Sequence, residues 1–311
     1  MKAVCARARG GPEQLGVEDV PKPEAGGGEA LVRVHAVGIT AQELGWGATW
    51  KSRAGDDRRS PIPGHEVSGV VARVGAGVTD VAPGDEVYAL TDFYRDGGAA
   101  EYVVVESAAL APKPRSLSHV DAATAPLSAL TAWQALFARG QLEPGERVLI
   151  HAAAGGVGTF AVQLARWRGA HVIGTCSAQN VAFLRSLGCD EVIDYNTTRF
   201  EDAARDCDVV LDGVGGETLR RSFAVLRDGG RLISIVGVPP NAETRGRDVR
   251  ASFFIVEPNR AELMEIGRLL NEGVVRPILA DVLPLDRARQ AFERSLLGHN
   301  RGKVVLQVAA T

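Results

Sequence analysis

The fold predicted for this chain rests on one stretch, Arg147-Val-Leu-Ile-His-Ala-Ala-Ala-Gly-Gly-Val-Gly-Thr-Phe-Ala-Val-Gln-Leu-Ala-Arg166. It begins with a short, branched apolar run at 148–150, which is typical of a strand buried in a parallel sheet. A turn of small residues follows, and the next apolar side chains recur with the spacing of a helix packed on one face. Those apolar positions are Val157, Phe160, Ala161, Leu164 and Ala165. The stretch therefore predicts a strand, a tight turn and a helix in succession.

The small residues of this turn favour a binding site for a dinucleotide pyrophosphate. Without bulky side chains, backbone N–H groups can approach phosphate oxygens closely, and the helix N-terminus adds a favourable dipole. The first position of the motif is Ala153 instead of glycine, and the alternative is an ordinary strand–helix turn that needs tight packing. The strand before it and the helix after it favour the dinucleotide site. The residues expected to bind the cofactor there are Ala154, Gly155, Gly156, Val157 and Gly158.

Composition narrows the class of protein. The chain has 311 residues and a formal net charge of −3, so charge gives no reason to expect nucleic acid or an anionic membrane as a partner. No apolar run approaches the roughly 18 residues of a membrane span, and we expect no signal peptide. The cysteines Cys5, Cys176, Cys189 and Cys207 are scattered without C-x-x-C spacing. That pattern argues against a disulfide framework or a structural zinc lobe and predicts a cytoplasmic location.

Two domains are expected, one of them discontinuous. Residues 1–120 contain short strands separated by Gly and Pro turns, which favours a β-barrel domain, and residues 275–311 should complete it. Residues 121–274 alternate strands with helices, which predicts an α/β domain with a doubly wound parallel sheet. A single helical segment is expected at 119–139. After the opening strand, further strands are predicted at 171–175, 191–194, 208–212, 231–236 and 252–256, with helices near 179–187, 217–226, 259–271 and 286–297 and a last strand at 302–308.

Several motifs resemble the zinc-independent quinone oxidoreductase branch of the medium-chain dehydrogenase/reductase superfamily, and the resemblance spans nearly the whole chain. Besides the opening stretch, the matching motifs are Pro63-Gly-His-Glu-Val-Ser-Gly-Val-Val71, Val74-Gly-Ala-Gly-Val78, Pro83-Gly-Asp-Glu-Val87, Pro126-Leu-Ser-Ala-Leu-Thr-Ala-Trp133, Leu187-Gly-Cys-Asp-Glu-Val-Ile-Asp-Tyr195 and Gly302-Lys-Val-Val-Leu306. The resemblance implies a GroES-like β domain, a Rossmann domain, an NADPH cofactor and a homodimer.

The zinc-dependent relatives differ from this chain at their metal ligands. They have a Cys where this chain has Thr40, and another ligand near Leu127; only His65 remains. A catalytic zinc needs three protein ligands and one open position. We therefore expect no metal, and we interpret His65 as a hydrogen-bonded structural residue.

The end of the strand predicted at 171–175, the second of the α/β domain, bears on the choice between NAD and NADP. Enzymes that use NAD commonly place an Asp or Glu there, about 20 residues after the glycine turn. This chain has Gly174-Thr-Cys-Ser-Ala-Gln-Asn180, without a carboxylate, and Ser177 can donate to a 2′-phosphate. That favours NADP, although the loop holds no Arg or Lys, and Ser177 could instead be a helix N-cap. The strand-end residues expected at the cofactor are Gly174, Thr175, Ser177 and Gly213.

The resemblance assigns further positions to the cofactor. Tyr195 would close over the adenosine phosphate, the alternative being a surface tyrosine at a strand end. Gly237 and Val238 would lie beside the nicotinamide, together with Val236 at the end of the same strand.

No acid–base pair is recognisable, which suits hydride chemistry carried by the cofactor. Thr40, Gln42 and Thr131 are candidates to orient the nicotinamide or the acceptor carbonyl. Trp46, Trp50, Phe93 and Tyr94 either line an aromatic pocket or pack loops, and Tyr94 or solvent would supply the proton.

The expected function is an NADPH-dependent, zinc-free oxidoreductase that transfers hydride to a quinone or another activated carbonyl acceptor. The main alternative is an enoyl or 2-alkenal reductase that reduces a conjugated C=C bond. A cofactor-binding protein with a structural or redox-sensing role and little turnover is a hypothesis of a different class. A zinc alcohol dehydrogenase is the weakest option. The expected partner is a small quinone or enone.

Overall fold

The computed structural model describes residues 1–240, 247–298 and 300–309. Its strands are β1 (Lys2–Ala6), β2 (Leu15–Asp19), β3 (Glu29–Ile39), β4 (Glu66–Val74), β5 (Glu86–Leu90), β6 (Tyr102–Glu106), β7 (Ala111–Pro112), β8 (Arg147–Ile150), β9 (His171–Cys176), β10 (Glu191–Asp194), β11 (Cys207–Asp212), β12 (Leu226–Ser234), β13 (Arg250–Phe253), β14 (Leu279–Pro284) and β15 (Lys303–Gln307).

The helices are α1 (Gly47–Trp50), α2 (His119–Ala122), α3 (Pro126–Trp133), α4 (Gly156–Arg168), α5 (Val181–Leu187), α6 (Phe200–Ala203), α7 (Gly216–Ser222), α8 (Arg260–Asn271) and α9 (Ala288–Leu296). A π-helical segment, Gln134–Arg139, continues α3. Over the described ranges, each helix is too short or too polar to cross a membrane.

The chain forms two compact units. The first comprises Met1–Leu127, Glu257–Gly273 and Pro277–Thr311, and we call it the β unit. The second comprises Ser128–Val256 and Val274–Arg276, and we call it the sheet unit.

The sheet unit contains a six-stranded parallel sheet in the order β10-β9-β8-β11-β12-β13. Numbered from β8, this is the order 3-2-1-4-5-6 of a doubly wound dinucleotide-binding sheet, so that prediction is confirmed. Leu149, Ile173, Val210 and Leu232 belong to one buried cluster. Because parallel strands end at the same edge, the loops after β8 to β12 meet at its carboxyl edge.

The β unit is built around the long strand β3. One edge of β3 pairs with β4; the other pairs with β6 through its first half and with β15 through its second half. The sheet continues through β5 to β7 on one side and through β15 to β14 on the other. The C-terminal strand β15 thus returns to the N-terminal strands, as the sequence predicts.

Helix α8 lies in the β unit, whereas the sequence-based boundary at 274 groups it with the parallel sheet. The Tyr88 hydroxyl donates to the Leu263 carbonyl, and Arg260 Nε donates to the Leu110 carbonyl at 2.6 Å. These partners are far away in sequence, so local patterns do not show which unit the helix joins.

Three predicted elements differ from the observed ones. The segment 119–139 is not one helix: α2 ends at Ala122, and α3 begins at Pro126, a residue suited to a first helical position. Strand β12 starts at Leu226 because a register shift between Cys207 and Val209 of β11 accommodates the glycines. The strand predicted at 252–256 is Arg250–Phe253, the edge strand β13 of the parallel sheet, since its partner β12 ends at Ser234.

Candidate functional site

The turn after β8 is shaped by backbone geometry. Ala152 has a positive φ of 52°, which is uncommon for a residue with a side chain. A Cβ at Gly158 would lie 2.3 Å from the Ala152 carbonyl oxygen and 2.6 Å from the Ala153 Cα, so only glycine fits there. The turn and the helix are thus packed as tightly as the sequence predicts.

The start of α4 can bind an anion. Its N-cap residue, Gly155, has no side chain that could bond the first-turn amides. Those amides therefore remain available, and the helix dipole favours negative charge at this end. The arrangement fits the pyrophosphate of a dinucleotide, which Ala154, Gly156, Val157 and Gly158 would hold through backbone N–H groups. The Gly155 N–H already donates to the Ala152 carbonyl at 2.9 Å, so Gly155 would contribute through its lack of a side chain.

Gly174 and Thr175, at the end of β9, pack the sheet instead of presenting side chains to a ligand. A Cβ at Gly174 would lie 2.7 Å from the Cys189 sulfur. The Thr175 hydroxyl is buried and bonds His151 Nδ1 at 3.1 Å, and Ser222 Oγ bonds the other ring nitrogen at 3.0 Å. Burial lowers the pKa of His151 to about 3, so this histidine is a neutral link between β8, β9 and α7. The Thr175 hydroxyl is thus used within the protein, and the expected place of Thr175 at the cofactor stays a prediction.

Ser177 keeps a free donor. It stands at the N-cap of the turn Ala178–Asn180, but its side chain makes no capping bond. Its Oγ accepts a hydrogen bond from the Asn180 amide at 3.3 Å, which leaves the hydroxyl proton available. Asn180, to which the sequence assigned no role, thus orients a side chain that could donate to a phosphate.

Tyr195 lies next to the end of β9. It follows β10 directly, its backbone N–H donates to the Cys176 carbonyl at 3.1 Å, and 48% of it is exposed. Ser177 comes immediately after Cys176. The exposed phenol and the free serine hydroxyl therefore belong to neighbouring strand ends on the carboxyl edge.

A buried carboxylate organises the other half of this edge. The Asp212 carboxylate accepts hydrogen bonds from the N–H groups of Val214 and Gly215 and from Ser234 Oγ, each at 3.1 Å. Ser234 Oγ in turn accepts from the N–H groups of Val236 and Gly237, each at 3.3 Å. One side-chain pair thus fixes the loops that carry Gly213, Val236, Gly237 and the exposed Val238. Sequence reasoning missed this pair; the only signal is a polar residue at the end of each of two apolar strands.

The acceptor-side candidates fall in different places. Gln42 is exposed, Thr40 and Trp46 are half-buried, and Trp46 packs edge-on against Phe93 with 5.2 Å between ring centroids. Tyr94 is exposed, with the Arg53 guanidinium 5.0 Å from its ring centroid. All of these lie in the β unit, whereas Thr131 is buried on α3 in the sheet unit.

Trp50 does not line a pocket. It is only 6% exposed, and its indole N–H donates to the Leu44 carbonyl at 2.8 Å. The structure therefore corrects the pocket role considered for Trp50, because its ring packs the loop that carries it.

His65 and Glu43 form a buried pair in the β unit. His65 Nδ1 bonds the Thr91 hydroxyl at 2.9 Å, while His65 Nε2 lies 3.6 Å from Glu43 Oε2. Glu43 Oε2 also accepts the Gly64 N–H at 3.0 Å. Burial lowers the pKa of His65 to about 3 and raises the pKa of Glu43 to about 8. Both groups are therefore uncharged at neutral pH.

Lys303 lies near Glu43, and its positive charge acts to lower the pKa of that carboxyl group. Sequence reasoning did not assign Lys303 a role. Its ammonium forms an ion pair with the buried Glu66 carboxylate and donates to Thr40 Oγ1 at 2.8 Å. Glu66 also accepts the Leu127 N–H at 3.2 Å.

A catalytic zinc does not fit this donor set. Thr40 is engaged by an ammonium group, Glu66 is the counter-ion of that ammonium, and one imidazole is too few ligands. Within 1–240, 247–298 and 300–309, no three His, Cys, Asp or Glu side chains are grouped to hold a metal ion.

Comparisons with known proteins agree with this architecture. The family described as "Alcohol dehydrogenase GroES-like domain" matches residues 26–115, and the family described as "Zinc-binding dehydrogenase" matches residues 187–306. The chain is 36% identical to "Probable zinc-binding oxidoreductase, mitochondrial" of Arthroderma benhamiae, covering 94% of this chain and 92% of that protein. It is 31% identical to "NADPH-dependent alkenal/one oxidoreductase, chloroplastic" of Arabidopsis thaliana, covering 98% and 79%.

A solved structure extends the similarity to the whole fold. The quinone oxidoreductase from Coxiella burnetii superposes with a TM-score of 0.92 at 32% identity, covering 99% of each chain. The fold and the carboxyl edge define a nicotinamide-dependent oxidoreductase. The chain belongs to the medium-chain dehydrogenase/reductase superfamily, in its quinone oxidoreductase-like branch.

The predicted cytoplasmic location is contradicted. The names of the fungal and plant relatives above place those proteins in mitochondria and chloroplasts. Proteins of this family thus occur outside the cytoplasm, and scattered unpaired cysteines do not indicate the compartment.

Proposed function

We propose that the protein is an NADPH-dependent reductase that transfers hydride, without zinc, to a quinone or another activated carbonyl acceptor. The observation that carries the proposal is the carboxyl edge of the parallel sheet. The uncapped start of α4 and the loops held by Asp212 and Ser234 both follow strands of this sheet at that edge. Bound NADPH supplies the hydride and both electrons. The protein's part is to bind, to orient and to exclude water.

The side chains at the end of β9 support NADPH over NADH. Ser177 has a free hydroxyl proton, Tyr195 is exposed next to it, and the loop carries no carboxylate that would repel a 2′-phosphate.

Ser177→Asp tests this preference. A carboxylate there would repel the 2′-phosphate and could bond a ribose 2′-hydroxyl, so kcat/KM with NADPH should fall about 100-fold relative to that with NADH. Ser177→Ala removes only the hydroxyl and should change the ratio less than about tenfold. An unchanged ratio in Ser177→Asp would contradict the proposed 2′-phosphate site.

The absence of zinc from the mechanism is also part of the proposal. It is supported by Lys303, whose ammonium already neutralises Glu66 and engages Thr40. Elemental analysis of the purified protein should find less than about 0.1 zinc per chain, and added zinc should not raise turnover. Stoichiometric zinc that is needed for activity would overturn this part.

Reduction of a conjugated C=C bond is the second candidate. The Arabidopsis relative is named as an alkenal/one oxidoreductase, and enones share with quinones a carbonyl oxygen that gains negative charge. NADPH oxidation should be followed against 1,4-benzoquinone, 9,10-phenanthrenequinone, 2-hexenal, methyl vinyl ketone and crotonyl-CoA. Faster turnover of the quinones supports the first candidate, and faster turnover of the enals or the thioester supports the second. NADPH binding without turnover of any acceptor would favour the cofactor-binding or redox-sensing role instead.

We further propose a homodimer that pairs through β13. This strand ends the parallel sheet, all four of its residues are exposed, and Ile255 beyond it is 64% exposed. An open strand edge with apolar neighbours favours pairing with a second chain. Light scattering should give twice the chain mass, and Ala251→Pro should give monomers. The Phe254 N–H bonds the Ser234 carbonyl of β12, and N–H directions alternate along a strand, so the Ala251 N–H lies on the open edge, where proline removes it. A dimer that persists in this variant would place the interface elsewhere.

A further inference from the structure

Lys303 and Thr40 are brought together by strand register. Val304 of β15 pairs with Ile39 of β3, so the residues one step beyond this pair lie side by side. Lys303 Nζ lies 2.8 Å from Thr40 Oγ1, although the two residues are 263 positions apart in the chain.

The direction of this hydrogen bond is fixed by chemistry. An ammonium group has three donors and no acceptor, so Lys303 must donate and Thr40 Oγ1 must accept. Thr40 stands at the N-cap of the turn Ala41–Gly45, yet its side chain makes no capping bond. Across the described part of the chain, the bond from Lys303 is the only side-chain hydrogen bond of Thr40. The hydroxyl proton is therefore free to be donated to a ligand.

Glu66 holds the ammonium in place. The Glu66 carboxylate is fully buried, Lys303 is 7% exposed, and the two form an ion pair. The backbone N–H of Leu127 donates to the same carboxylate. A buried, paired lysine loses little further entropy when a ligand binds and acts through a low dielectric. Thr40, in contrast, is half-buried and so reaches the surface of the β unit.

We propose that Thr40 donates a hydrogen bond to the carbonyl oxygen of the acceptor and that Lys303 is the positioning residue that orients and polarises this donor. The inference rests on the proposed reductase function and specifies its substrate class. The acceptor must carry an oxygen that becomes negative during hydride addition, as in quinones, enones and enoyl thioesters.

The charge balance follows from the reaction. A carbonyl carbon that takes the hydride with its two electrons releases the C=O π pair onto oxygen. In a conjugated acceptor that takes the hydride at the β-carbon, the C=C pair moves to the bond between the α-carbon and the carbonyl carbon, and the C=O pair again moves onto oxygen. A proton from water then neutralises the oxyanion and leaves hydroxide. Thr40 bonds the oxygen more strongly as that charge grows, which is how a preorganised donor lowers the barrier. Lys303 transfers no proton in this step and acts only through the Thr40 oxygen.

A double-mutant cycle tests the coupling. Because Lys303→Met alone would leave a buried carboxylate unpaired, it is combined with Glu66→Gln. Thr40→Val should lower kcat about 100-fold. Lys303→Met with Glu66→Gln, which neutralises the pair, should lower kcat about tenfold. If Lys303 acts through Thr40, neutralising the pair in the Thr40→Val background should lower kcat no further. A further tenfold loss there would overturn the proposal. Thr40→Ser, which keeps the hydroxyl, should retain kcat within about threefold.

A matched control separates charge from folding. Lys113 is as buried as Lys303, at 8% exposure, and lies 3.5 Å from Glu86. Lys113→Met with Glu86→Gln neutralises an equally buried lysine together with its more exposed carboxylate partner in the same unit, and should leave kcat unchanged. A loss equal to that of the Lys303 pair would show a general effect on folding and would contradict the proposal.

A binding measurement tests the donor without turnover. 4-Nitrophenolate carries its charge on an oxygen and changes colour on protonation, so its apparent pKa can be titrated on the NADP⁺-bound protein. The wild type should lower that pKa, whereas Thr40→Val and the neutralised Lys303 pair should each raise it towards the free value. If the wild type lowers the pKa of the phenol but reduces no acceptor, the proposed function is refuted, while Thr40 is still supported as a donor to a negatively charged oxygen. Failure of the wild type to bind or shift the phenol would refute the inference itself.

Discussion

The turn after β8 and the corner formed by Thr40, Glu43, Glu66 and Lys303 are two kinds of binding region. The turn is made of consecutive residues, and its ligand groups are backbone amides at the start of α4. The corner joins β3, β4 and β15 and consists of side chains, two of them charged and buried.

The two regions differ in what sustains them. The turn depends on steric fit, since a single Cβ at Gly158 would overlap backbone atoms. The corner depends on strand register and on the ionisation of buried groups. We therefore expect the turn to be sensitive to added volume and indifferent to pH, and the corner to respond to charge.

Gly158→Ala should have the largest effect of the substitutions considered below. The added methyl would lie 2.3 Å from the Ala152 carbonyl oxygen, so either the helix or the turn must move. The free energy of unfolding should fall by about 3 kcal/mol, and NADPH binding should weaken with it. Urea unfolding and fluorescence titration with NADPH measure the two effects.

Gly237→Ala is the matched control for volume. A Cβ at Gly237 would meet no atom within 4 Å, so its stability should change by less than about 0.5 kcal/mol. If Gly158→Ala were as well tolerated as Gly237→Ala, the turn would not be the sterically determined region described here.

The sequence predicted the parts of the fold that local patterns encode. The order and direction of the strands β8 to β12 follow from apolar runs that alternate with helices. The assignment of α8 to the β unit does not, because it depends on the Tyr88 hydroxyl and on Arg260, whose partners are about 150 or more residues away.

The candidate site shows the same division. The phosphate turn and Ser177 could be predicted from the sequence, since their chemistry is carried by neighbours along the chain, and their contact with the cofactor stays a prediction. Asp212 with Ser234, and Lys303 with Thr40, were missed because each pair exists only after two strands have been aligned. The aromatic Trp50 was a candidate for a pocket because its burial cannot be read from one residue type.

Ser234→Ala should have the next largest effect. It tests whether the hydrogen bonds of this side chain hold the loops at the carboxyl edge of the sheet. Removing the hydroxyl takes one hydrogen bond from the Asp212 carboxylate and leaves the N–H groups of Val236 and Gly237 without their acceptor. The free energy of unfolding should fall by about 2 kcal/mol, and the Kd for NADPH should rise about tenfold.

Ser222→Ala is the control for losing a buried serine. Ser222 is equally buried in the same unit, but it bonds His151 and the Thr218 carbonyl on the body of the sheet unit. We expect a similar loss of stability with an unchanged Kd for NADPH. Equal weakening of NADPH binding in both variants would mean that Ser234 does not act through the loops it holds.

Glu43→Gln should have the smallest effect and shows how the corner depends on pH. Burial raises the pKa of Glu43 from about 4.5 to about 8, so between these values the folded chain binds a proton that the unfolded chain has released. In the wild type this group's contribution to the free energy of unfolding therefore falls as the pH rises from 4.5 to 8. Glutamine keeps an oxygen for the Gly64 N–H and does not titrate.

The advantage of Glu43→Gln over the wild type should accordingly grow by about 1 kcal/mol between pH 6 and pH 7, as measured by urea unfolding. Gly158→Ala supplies the contrast: the atoms nearest to its methyl belong to the backbone of Ala152 and Ala153, so its deficit should stay constant over the same range. A constant difference for Glu43→Gln would mean that the carboxyl is already ionised in the folded chain. The contrast in pH dependence between the turn and the corner would then be lost.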